Sequence, residues 1–211
     1  MPVPAAFSAA CRRCPRLAAH LEGVRQAQPG YHAAPVPSFG ERRARLLVVG
    51  LAPGMHGANR TGRPFTGDHA GILLYATLHE FGFASRPTSE HAGDGLRLHD
   101  CRITNAVRCL PPANRPQAAE IRNCNDYLAM ELAPPVPQVV IALGRVAHEA
   151  VLRACAEPLR AHPFAHAAGH RLGAFLLLDS YHCSRYNTQT RRLTPAMFRE
   201  VFALARRELD G

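Results

Sequence analysis

The sequence predicts an α/β fold: one three-layer α/β/α domain, residues 1–211, built on a central, mostly parallel four-stranded sheet. Four short apolar runs recur along the chain, and segments with helical spacing of apolar residues lie between them. The length suits one well-packed domain and is short for two.

The elements follow in order. The N-terminal stretch MPVPAAFSAACRRCPRL lacks a basic region followed by a continuous apolar stretch, so it does not read as a secretory signal. No apolar run approaches the length that spans a bilayer, and a cytoplasmic location without membrane partners is expected. After the proline-rich APVPSF comes the first expected strand, ARLLVVGLAP (Ala44 to Pro53). CRITNAV (Cys101 to Val107), QVVIALG (Gln138 to Gly144) and AFLLLDSYH (Ala174 to His182) supply the other three. A second proline-rich connection, APPVPQ, precedes the third. GILLYATLHEFGF, PQAAEIRNCNDYLAMELA and RVAHEAVLRAC read as the intervening helices. TPAMFREVFALARREL closes the chain as a helix, with Thr194 as N-cap before Pro195. Parallel sheets bind ligands beyond the carboxyl ends of their strands, so GLAPG, TNAVRC, ALGR and DSYHCSRYNTQT are expected to converge.

The formal net charge is +9, and all 25 basic residues are arginine. Arginine's fork matches phosphate oxygens, which points to a polyanion such as nucleic acid; codon bias is the competing explanation. Seven cysteines are too few and too irregular for a disulfide framework. Cys11 and Cys14 form C-x2-C, and Cys109 and Cys124 stand at a strand end and in a helical segment. Four thiolates suit zinc or a [4Fe-4S] cluster, and the absence of two close-spaced pairs tilts the balance slightly to the cluster. Cys101, Cys155 and Cys183 read as a core, a helix and a site-lining residue.

CRRC, GLAPGMHGANRTGRPFTGDHAG, TNAVRCLPPANRP and SYHCSRYNTQT, in this order across nearly the whole chain, resemble the uracil-DNA glycosylase superfamily, and within it the iron-sulfur family 5, the B-type enzymes. The resemblance implies a [4Fe-4S] cluster on Cys11, Cys14, Cys109 and Cys124. It also implies removal of uracil and other deaminated bases from DNA, with damaged DNA as partner of a monomer. A target base must leave the duplex before its glycosidic bond is reachable. Phe65, between glycines and prolines, is the expected stacking platform, with a core phenylalanine as the alternative. Asn105 can donate and accept at once, as the O4 and N3–H edge of uracil requires. Gly50, Gly54, Gly57, Gly62 and Gly67 let the backbone approach base and phosphate, and Gly50 and Ala52 are expected to border the base.

Other branches carry a catalytic carboxylate or amide where Leu51 and Ala52 stand here. Family 5 instead implies Asp68 as the catalytic carboxylate; a helix-capping role is the other reading, and the two are compatible. His182 is placed to stabilise charge on the departing base. Asn59, Arg60 and Arg63 in the opening loop, with Ser184, Arg185 and Asn187 after the last strand, are the expected DNA contacts. His56 and His69 are expected near the pocket. A noncatalytic module for deaminated sites and a family 4 enzyme are the competing functions; Leu51 and the RYNTQT tail argue against the second.

Overall fold

The computed structural model describes residues 7–134 and 137–211; the first six residues, and residues 135–136 of the second proline-rich connection, lie outside the described residues. Strand β1 is Phe39–Gly40, β2 Leu46–Gly50, β3 Cys101–Asn105, β4 Val139–Leu143, β5 Gly169–Leu172 and β6 Phe175–Ser180. They form one sheet in the order β1-β3-β2-β4-β6-β5. The four expected strands are its parallel centre, β3, β2, β4 and β6. The expectation of four strands omitted β1 and β5, which pair antiparallel on the two edges. Edge strands this short carry no apolar alternation to betray them.

β2 and β4 are buried at every position, as a parallel sheet covered on both faces requires. Alternate residues divide the core. Leu46, Val48, Ile103 and Ile141 join the helices α3 (His69–Glu80) and α7 (Pro195–Asp210) on one face. Leu47, Val49, Val140 and Ala142 pack with α4 (Ala118–Glu131) and α5 (Arg145–Ala154) on the other. Two helices carry the start signals their sequences show. Thr194 accepts from the Met197 amide ahead of Pro195, and Gln117 and Glu120 form a reciprocal capping box on α4. Among the described residues the other α-helices are α1 (Pro15–Ala27), α2 (Ala58–Thr61) and α6 (Arg185–Gln189). No helix is long and apolar enough to cross a membrane among the described residues.

From β2 the chain passes to β3 on one side and then to β4 on the other, so its direction of winding reverses at β2. That reversal opens a crevice at the carboxyl ends of the strands. Behind it, fully buried Asp179 on β6 binds His148 of α5 (2.7 Å) and His170 of β5 (3.1 Å), and His148 also bonds the His162 carbonyl (2.9 Å). Each carboxylate oxygen thus has a ring-nitrogen partner, tying α5 and an edge strand to the strand that leads to His182.

Candidate active site

The crevice holds a cavity of about 400 Å³ lined by Leu51, Ala52, Phe65, Asp68, Asn105, Asn114 and His182, among others. Three of the four strand ends supply it. β4 contributes from behind: a Cβ on Gly144 would lie 3.5 Å from the His182 Cβ.

Phe65 is only 6% exposed and has a left-handed backbone, φ 53°. Its ring stacks on the His182 imidazole with centroids 6.0 Å apart and planes 29° apart. The tight fit explains Gly50, where a Cβ would stand 2.4 Å from Asn105 Oδ1 and 2.5 Å from Phe65 Cζ. Gly71 is required in the same way, since its Cβ would collide with the Phe65 carbonyl. Asn105, at the last position of β3, is buried, and its Oδ1 has no hydrogen-bond partner. A buried acceptor left open at a cavity wall is a place for a ligand donor.

Asp68 is the N-cap of α3, its Oδ1 accepting from the Gly71 amide at 3.0 Å. Its Oδ2 faces Gly57, where a Cβ would come within 2.3 Å. Burial raises the Asp68 pKa above the usual carboxylate range, partly offset by the Gly71 and Ala70 amides. His182 keeps some surface open, yet desolvation pulls its pKa down to about 4, so the imidazole is neutral at physiological pH. Asn187 Nδ2 donates to the His182 carbonyl at 2.8 Å and fixes the backbone there.

The remaining expected residues divide. Ala52, Ser184 and Arg185 line the cavity, and Arg60 lines an adjoining groove that also includes His56, Gly57, His69 and Arg185. His69 borders both spaces and meets Thr188 Oγ1 at 2.9 Å. Asn59 and Arg63, expected to touch DNA, do not reach the surface. Asn59 is fully buried, and Arg63 is sealed against Asp94 (2.8 Å), Ser89 and the Ala92 carbonyl with its guanidinium over the Phe39 ring. Cys183, expected to line the site, faces the core instead and is absent from the cavity wall. Asn114 was not anticipated. It borders both spaces, and it and Ala113 both have positive φ (54° and 52°). Asparagine's tolerance of that conformation, inside PPANRP, is the signal that could have found it.

The four expected metal-ligating cysteines come together. Cys14, Cys109 and Cys124 are buried in one apolar cluster with Leu17, Leu21, Val107 and Leu110, and Cys11 packs against it. All are free thiols. Burial first, then the neighbouring Cys124, Cys11 and Cys14, push the Cys109 thiol up to about 12, so thiolates here need a positive centre among them.

The sequence model of the Uracil DNA glycosylase superfamily matches residues 37–206. The chain is 52% identical to the Type-5 uracil-DNA glycosylase of Thermus thermophilus over 94% of this chain and 93% of that one. It belongs to the uracil DNA glycosylase superfamily. Within that superfamily the likeness to type-5 proteins is the more extensive. The Type-5 uracil-DNA glycosylase of Pyrobaculum aerophilum is 41% identical over 92% of this chain and 87% of its own. The Type-4 uracil-DNA glycosylase of Archaeoglobus fulgidus is 39% identical, but over only 53% of this chain and 49% of its own. The superfamily match starts after the first cysteine pair and takes in every residue that lines the cavity.

Proposed function

We propose that the protein is a monofunctional DNA glycosylase. It hydrolyses the N-glycosidic bond of uracil, and of other deaminated bases such as hypoxanthine, and so initiates base excision repair in the cytoplasm as a monomer. The observation that carries this reading is the meeting of Phe65, Asn105, Asp68 and His182 on one cavity. A flipped base entering it stacks on the Phe65 ring. The open Oδ1 of Asn105 accepts from the base N3–H while the amide nitrogen donates to O4. As the glycosidic bond stretches, negative charge grows on the base, and the neutral His182 donates a hydrogen bond toward it. Asp68, held by its helix cap, positions water or balances charge on the sugar. Leu51 and Ala52 offer the reaction no polar group; they shape the wall.

A cavity of about 400 Å³ has room for a bicyclic base as well as a pyrimidine, which supports the wider range of substrates. Arg60 and Arg185 are exposed at its mouth, suited to phosphates on either side of the lesion.

The four cysteines are assigned to a [4Fe-4S] cluster. Support comes from the donor set, four thiols gathered in and against one buried apolar cluster. When bound, such a cluster supplies a rigid cross-link between the N-terminal segment, the loop after β3 and α4. The test of the function is a set of duplexes each carrying one uracil, hypoxanthine or xanthine, scored for abasic sites after incubation with the purified protein. Free uracil is expected with the strand left intact; no base release from any duplex overturns the reading.

A further inference from the structure

Helix α4 does more than carry Cys124. Asn123 and Tyr127, one residue before Cys124 and three after it, turn toward the same thiol group. Tyr127 Oη donates to Cys11 Sγ at 3.5 Å, and Asn123 Nδ2 donates to Cys14 Sγ at 3.5 Å. Two of the four sulfurs therefore have a side-chain donor. Both donors come from one helix and reach the two cysteines of C-x2-C.

Tyr127 is held for this task. It is buried, with its ring edge-on to Phe7 at 5.5 Å and the Arg13 guanidinium 5.3 Å from its centroid. Arg13 is in turn paired with Asp126 at 2.5 Å. Since Arg13 lies between Cys11 and Cys14, the residue that clamps the tyrosine belongs to the cysteine loop itself. None of these groups is needed to bind a base: none lines the cavity.

We propose that Tyr127 and Asn123 are tuning residues that raise the reduction potential of the iron-sulfur cluster by hydrogen-bonding its thiolate ligands. The inference rests on the assignment of the four cysteines to a cluster. Adding one electron increases the negative charge shared between iron and sulfur, so a donor at a sulfur stabilises the reduced form more than the oxidised one. Loss of the donor moves the potential to more negative values. The couple is one electron from an external reductant such as dithionite, with no bond made or broken.

The test uses the holoprotein and its Tyr127→Phe and Asn123→Ala variants. Tyr127→Phe keeps the ring against Phe7 and Arg13 and deletes only the hydroxyl. Midpoint potentials are read by titration with detection of the reduced cluster by electron paramagnetic resonance, and iron–thiolate stretching frequencies by resonance Raman. Both variants are expected to keep full iron, to titrate at more negative potential than the parent, and to show raised iron–thiolate frequencies, with uracil release unchanged. Unchanged potential and frequencies in iron-replete variants overturn the proposal while leaving the cluster assignment intact. A parent protein without iron overturns the assignment, and the proposal with it. If one variant does not fold, the other decides alone.

Discussion

The Phe65 ring, from the loop after β2, and the His182 imidazole, from the end of β6, lie stacked 6.0 Å apart on one side of the cavity. The side that stacks a base and the side that receives its charge are therefore one unit. Phe65→Ala is expected to weaken binding of a uracil duplex and also to slow single-turnover release, because the imidazole loses its support. Asn105→Ala is expected to blur selection among bases. Release rates on uracil and hypoxanthine duplexes, measured for each variant, check both; a Phe65→Ala effect confined to affinity breaks the link.

Asp68→Asn separates catalysis from capping. Asparagine caps helices as well as aspartate does, so α3 is expected to stay intact and thermal stability not to fall. Burial has raised the Asp68 pKa, so its ionised form is destabilised in the folded protein and the substitution removes that charge. Base release is expected to slow about 10²- to 10⁴-fold with affinity for uracil DNA near normal. Parental single-turnover rates in this variant would reduce Asp68 to a helix cap.

His182 gives stability a pH signature. Its folded pKa, about 4, lies below the ordinary 6.5, so the unfolded chain binds the proton more tightly. The stabilisation is whole above pH 6.5 and is lost as pH falls toward 4. His182→Gln is expected to flatten that part of the curve, read by denaturant melts across the range. It should also slow release most for the base that is the poorer anion.

The arginines are expected to separate by burial. Arg185→Ala is expected to lower affinity for every duplex alike and to reduce the log–log salt slope by about 1. Arg63→Ala leaves buried Asp94 to its backbone amide donors without a cationic partner and is expected to cost about 3 kcal/mol of stability while leaving the salt slope of the folded fraction unchanged. Equal salt slopes for parent and Arg185→Ala would remove Arg185 from the DNA face.

The protein is expected to be brown as purified, with broad absorption in the visible blue. Cys109→Ser should release iron and destabilise the fold, whereas Cys155→Ser, at the half-buried end of α5, should do neither. One stoichiometric zinc in a colourless protein is the contrary result.

Much of this arrangement was legible in the residues. The four central strands stand out because strands covered on both faces are apolar at nearly every position. Phe65, Asn105 and His182 drew notice at strand ends and among glycines, and Asp68 and the role of Asn105 through the family resemblance; all four border one cavity. What stayed hidden depended on distant partners. Arg63 in a glycine-rich loop looks solvated until Asp94 arrives from the far side of α3, and nothing beside Cys183 says that it turns inward. Helix α1 was within reach, since Leu17, Leu21 and Val24 share one face after Pro15, but no expectation was attached to it.

The placing of the thiols has a consequence in time. Cys11 and Cys14 leave the ribosome about 95 residues before Cys109, which follows β3, and more than 100 before Cys124 on α4. Until then the first helix has neither its apolar bed nor the other half of the thiol set. The first pair passes through synthesis as two bare sulfhydryls, open to oxidants and stray metals. Stalled nascent chains ending before Cys109 should therefore react at both positions with a thiol-specific alkylating reagent, and full-length holoprotein at neither.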